Sequence, residues 1–229
     1  DMCRDAEMTA SDYVDLALSG VGIETDLTAV ERVLGNCHTA IDFYAPPKDR
    51  AELNARMLAG IARLLKDAEP GSDHQLAFAR ALASLASGEA AAGVLQAWLY
   101  GLEAPEGLAM DTDLRWHLVV NLARLGAVSE VEIADEAKRD NTARGAERAA
   151  AARAALPIAE AKAMAWRRAT MEDTPNETHF QLCSAFWQMD QDDVLLPYVA
   201  AYRSVAEAIS NGADGWADRS SAIRPHVLG

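Results

Sequence analysis

Apolar residues return along this chain at intervals of three and four positions, and alternation of period two is almost absent. Leu114, Leu118, Leu122 and Leu125 recur at helical spacing, while Asp113, Arg115, Asn121 and Arg124 fall largely on other faces. That pattern predicts an amphipathic helix with one buried stripe. Ala, Leu, Glu and Arg dominate elsewhere and favour helix over strand. Helix starts are expected at Ser11, Thr25, Pro47 with Asp49, Ser72, Thr112, Ser129, Thr142, Pro157, Pro175 and Asp192, each just ahead of an apolar-periodic run. Hydroxyl and carboxylate side chains there can accept from the unpaired N–H groups of a first turn, and proline has no N–H to leave unpaired. Ser129 and Glu132 have the spacing of a capping box. Gly20, Gly71, Gly101, Gly126 and Gly145 fall near the expected breaks, where freedom to take positive φ is useful.

The later starts lie 13 to 18 residues apart, so helices of about three turns alternate with very short connections. Short connections force antiparallel neighbours. The fold expected is therefore all-α, with antiparallel helix hairpins stacked as a degenerate, HEAT-like α-solenoid or bowl, since no consensus repeats at fixed period. Residues 1–229 read as one helical-repeat domain, with a sub-bundle boundary near 101–107, where Pro105 stands between Gly101 and Gly107. The Ala-rich stretch from Ala137 to Ala155 reads as helix with mixed-charge faces, because Glu136, Asp140 and Glu147 interleave with Arg139, Arg144, Arg148 and Arg153.

Half of the 229 residues are apolar, enough for a sizeable core. The formal charge of -14 argues against a nucleic-acid partner, because phosphate backbones are held by Lys and Arg displacing counterions. It also disfavours anionic lipid, and no stretch approaches the roughly 20 apolar residues needed to span a bilayer, so no membrane partner is expected. Cys3, Cys37 and Cys183 lack any CxxC pair and suit a reducing cytoplasm. The chain opens with Asp1 and enters a helical pattern almost at once, which reads as a cut through a longer protein. The far end, from Ser220 and Ser221 through Arg224, Pro225 and His226 to Gly229, carries no closing amphipathic helix and reads as a second cut.

Zinc peptidase chemistry needs two His on one helical face with a Glu beside the first, the HExxH arrangement. It is missing. His38, His74, His117, His179 and His226 are dispersed and read as surface or capping histidines. Asp190, Asp192 and Asp193 lack DDxxD spacing and suit a helix start, where negative charge complements the dipole. GxSxG and SxxK do not occur. Trp98, Trp116, Trp166, Trp187 and Trp216 stand on separate predicted helices and read as core. No catalytic residue, metal ligand or cofactor site is expected in this chain.

Longer phrases carry more information. RDAEMTASDYVDLAL from Arg4 to Leu18, EPGSDHQLAFARA from Glu69 to Ala81, GLAMDTDLRWHLVVNLARLGAV from Gly107 to Val128, the run from Glu132 to Trp166 that contains RDNTARG, and LLPYVAAY from Leu195 to Tyr202 resemble the C-terminal region of the aminopeptidase N family of high-GC bacteria. The resemblance covers nearly the whole chain. It implies a modular zinc aminopeptidase whose thermolysin-like domain, bearing GxMEN and HExxH, holds the zinc and the catalytic residues. This chain would be the C-terminal helical domain that packs over the active site, encloses a cavity and limits peptide access. Its implied partners are the catalytic domain of the same polypeptide and peptide substrates. The competing class is a free-standing helical-repeat adaptor that holds a protein partner on its concave face.

The segment from Asp111 to Trp116 is the most distinctive. As structure, Thr112 or Asp111 caps a helix, Asp113 sits in its positive first turn and Trp116 packs inward. As a substrate-binding residue, Arg115 would meet a peptide carboxylate, since a guanidinium grips carboxylate in two-pronged geometry.

Overall fold

The computed structural model describes residues 2–171 and 173–210. Its elements are α1 (Ala10–Gly20), α2 (Leu27–Thr39), a π-helical turn (Ala40–Tyr44), α3 (Arg50–Asp67), α4 (Asp73–Leu85), α5 (Gly88–Leu99), α6 (Thr112–Arg124), α7 (Glu130–Arg139), α8 (Ala143–Ala155), α9 (Ala159–Ala169), α10 (Asn176–Phe186) and α11 (Asp192–Ser210). No strand occurs among the described residues. Trp216, His226 and the segment 220–229 lie outside them.

Side-chain caps account for most of the starts. Ser72, Ser129 and Thr142 accept from the N–H groups of Gln75, Glu132 and Gly145, and Ser129 forms both bonds of the capping box with Glu132. Asp26, one residue past the expected Thr25, accepts from Thr28 and Ala29. Thr9, two residues ahead of Ser11, caps α1. Helix α5 had no expected start: Ser87 occupies its cap position without a side-chain bond, and Gly88 enters at φ +74°. Gly145 is not at a break. It is the third residue of α8, where the Asp140 carbonyl approaches so closely that any side chain would strike it.

The chain divides into two compact units after Leu114, within the first turn of α6. In the first, α3 and α2 pack on α4, and α1 packs on α2 and α3. Val14, Val30, Met57 and Ile61 form its dry centre. The segment 101–107 lies in this unit, tied to the start of α4 by Gln75. Its Nε2 donates to the Glu106 carbonyl at 2.8 Å, and its Oε1 accepts from the Gly71 N–H at 2.9 Å.

In the second unit α8 packs on α7, α9 and, over the greatest length, α10, while α9 packs on α10 and α11. Helices α8 and α9 thus each meet their successor and the next but one, as stacked two-helix repeats do. Buried Ala149, Ala151, Ala152, Ala154 and Ala155 give α8 a small-residue face, which lets a neighbouring helix approach closely. Helix α6 departs from a single stripe: besides Leu114, Leu118 and Leu122 it buries Trp116, Val119, Asn121 and Ala123.

Candidate functional site

The two most distinctive phrases of the chain meet in space. Asp111 accepts from the Leu114 N–H at 2.8 Å, which sets the start of α6. One residue on, Arg115 projects toward α7. There Glu136 and Asp140 stand four residues apart, on one face of the helix and its C-terminal edge. The Arg115 Nε and Nη2 donate to the two Glu136 oxygens at 2.7 and 2.6 Å, a bidentate pair. Arg139 adds a second guanidinium at 3.4 Å. Beside them the Trp116 indole N–H donates to Asp140 Oδ2 at 2.8 Å, and Asp140 Oδ1 accepts from the Thr142 hydroxyl at 2.8 Å. Thr142 in turn caps α8 through the Gly145 N–H.

This network joins Arg115 and Trp116 of α6 to the turn between α7 and α8. Glu136 is only 6% exposed and Arg115 19%, so the pair is largely desolvated, and its geometry has to offset the cost of burying both charges. The Arg115 guanidinium is thereby oriented by protein. In the sequence Glu136 and Asp140 read only as part of mixed-charge faces; the signal that they share a face and could meet Arg115 and Trp116 was their i, i+4 spacing at the end of α7.

A second polar centre lies in the same unit. Lys162, on α9, is fully buried. Its Nζ donates to the Ala154 carbonyl at 2.6 Å and the Phe186 carbonyl at 2.8 Å, and stands 5.3 Å from the Phe186 ring centroid. Gln191 Nε2 bonds the carbonyls of Arg124 and Ala155 at 2.9 and 2.8 Å. The sequence signal for Lys162 was its register with Ala165 and Ala169, both buried. Around it Trp166, Phe186, Trp187 and Tyr198 pack ring against ring. Trp98, Trp116 and Trp187 are buried as expected, and Trp166 is half-buried.

Asp192 and Asp193 stand in the first turn of α11, while Asp190 pairs with Arg124 at 3.5 Å. His38 reaches Asp42 at 3.3 Å, and the His74 ring is 2.6 Å from the Glu24 carbonyl. His179 departs from the surface reading: it is buried, with its Nε2 3.6 Å from the Cys183 sulfur. Burial pushes that thiol up to about 12, away from the thiolate a metal would bind. Among the described residues no three His, Cys, Asp or Glu side chains gather to hold a metal ion, so they do not fit the zinc that the resemblance implies for the longer protein. Nor is any helix among the described residues long and apolar enough to cross a membrane.

The sequence model of the ERAP1-like C-terminal domain matches residues 1–221. Aminopeptidase N of Streptomyces lividans is 43% identical over 228 residues, which is 99% of this chain and 26% of that protein. The chain spans about a quarter of the length of this relative.

Proposed function

Because the chain belongs to the family of ERAP1-like C-terminal domains, we propose that it encloses the active site of a zinc-dependent aminopeptidase and limits which peptides enter. The observation that carries this reading is the 43% identity to an aminopeptidase N along 99% of the chain but only 26% of the relative. In this reading the catalytic domain of the same polypeptide is the domain's partner, peptides are the substrates, and the enzyme works in the cytoplasm. The zinc and the water it activates belong to that other domain. This chain's own residues supply walls.

Arg115 is the proposed substrate contact. Glu136 already grips the guanidinium in two-pronged geometry, so in this reading a substrate carboxylate competes with Glu136 for Arg115. The test uses the full-length enzyme and two substrates, a long peptide and a single-residue reporter. Arg115→Ala is expected to raise KM for the long peptide and leave the reporter unchanged. Unaltered KM for long peptides in a stable variant removes Arg115 from the substrate contacts. To test the wider reading, long and short peptides are compared in an enzyme cut before this domain and then supplied with it in trans. Identical length preference with and without the domain refutes a role in access.

A further inference from the structure

Helices α6, α8 and α10 bring their C-terminal carbonyls to one buried point: Arg124 O, Ala154 O, Ala155 O and Phe186 O all accept there from just two side chains, Lys162 and Gln191. Among the described residues no carboxylate bonds Lys162 Nζ. Gln191 Oε1 is also buried there and has no hydrogen-bond partner. We infer that Lys162 is a proton-sensitive latch of this joint: the uncharged amine seats α9 between α8 and α10, and protonation places a charge in the core and loosens α10.

Physically the joint is a balance. Helix C-termini and carbonyl oxygens favour an ammonium. Complete burial favours the amine, because a charge without a bonded counterion is costly in a low-dielectric core. Burial wins: the group is pushed down to about 7 from its ordinary value, with Asp190 pulling it partly back. The surroundings add little countercharge. From α8 Lys162 meets the Ala154 carbonyl, and from α10 the Phe186 carbonyl and ring. Cys183 on α10 stays a neutral thiol, and the Tyr198 phenol on α11 is raised by burial and is also neutral. Asp190 leads into α11 and pairs with Arg124 of α6. His179 on α10 is buried as well, and imidazoles titrate in the same range, so the readout has to be the lysine's own.

The sign follows from linkage. In an opened joint Lys162 regains an ordinary value near ~10.4, and the open state then binds more protons than the closed one between that value and about 7. The closing free energy is complete above the upper limit and is lost as pH falls to the lower one. Below neutrality both states are charged and the dependence flattens. Nothing in this joint depends on the chain's being part of a peptidase.

The chain has four lysines, Lys48, Lys66, Lys138 and Lys162, so side-chain NMR on the whole 229-residue chain, with 13C-labelled lysine, resolves the question directly. One resonance, absent from Lys162→Met, should titrate at least about two units below the ordinary lysine value of ~10.4. Hydrogen exchange of the α10 amides should show protection rising by up to about tenfold per pH unit above neutrality, and Lys162→Met should abolish the slope. If Lys162→Met does not fold, the titration of the four wild-type lysines decides alone. Four lysines titrating together, or a slope that Lys162→Met retains, overturns the latch.

Discussion

Glu136 carries two guanidinium groups in a nearly dry setting, so at the scale of single residues its loss should matter more than any surface charge. Glu136→Ala leaves Arg115 buried and without its bidentate acceptor, a change worth about 3 kcal/mol. Chemical denaturation should report that loss, and thermal melting should fall by roughly 6–12 °C. Exposed Asp135 and Lys138 also form an ion pair, at 2.7 Å, yet Lys138→Ala should cost under about 1 kcal/mol because solvent screens it. The cysteines give a second residue-level expectation. Burial pushes Cys37 and Cys183 up to about 12, so at pH 8 both remain thiols. Iodoacetamide should modify half-exposed Cys3 first and reach the other two only after denaturation; rapid alkylation of Cys183 in the folded chain contradicts this. What could be seen at this scale without coordinates was residue type. Arg115 and Trp116 stood out, but their partners Glu136 and Asp140 lie 21 and 24 residues away, and local patterning carries no information about pairing across that distance.

Among the elements, capping chemistry made starts legible and glycine placement less so. Ser129→Ala removes the hydroxyl that donates to Glu132 Oε2 and accepts from the Glu132 N–H and should cost about 1 kcal/mol. Two glycines sort by what surrounds them. Gly20, the last residue of α1, faces open space, so Gly20→Ala should be neutral or stabilise by up to about 1 kcal/mol, through reduced freedom of the unfolded chain. Gly145 faces the Asp140 carbonyl, so Gly145→Ala must displace the turn that also holds Trp116 and Thr142. It should destabilise by over about 2 kcal/mol. Equal melting temperatures for the two variants would contradict the close approach. Helix α5 is not legible in the sequence because the run of Ala and Gly ahead of Val94 has no clear apolar period and Ser87 makes no side-chain cap bond; burial of Leu95, Trp98 and Leu99 supplies what the local signal lacks.

For the whole molecule, far-ultraviolet circular dichroism should show helix with no appreciable strand, and the isolated chain should bind no stoichiometric zinc and cleave no aminoacyl reporter; tightly bound zinc after purification would refute the second expectation. The sequence by itself determined the helical class, nearly every helix start and the family, because these rest on short-range physics: the period of apolar positions, hydroxyl caps one turn from their donors, and phrases long enough to be distinctive. It did not determine the two polar centres. Lys162 stands in register with Ala165 and Ala169, but register alone does not strip a lysine of solvent. Only stacking α9 against α8 and α10 removed its solvent and gave it two carbonyls in exchange. The Arg115 pair has the same origin, since a guanidinium and a carboxylate 21 residues apart become one buried unit only once the intervening hairpin has closed. Desolvation is a property of neighbours that the fold assembles, so charge state, pairing and strain at these sites were decided by tertiary structure alone.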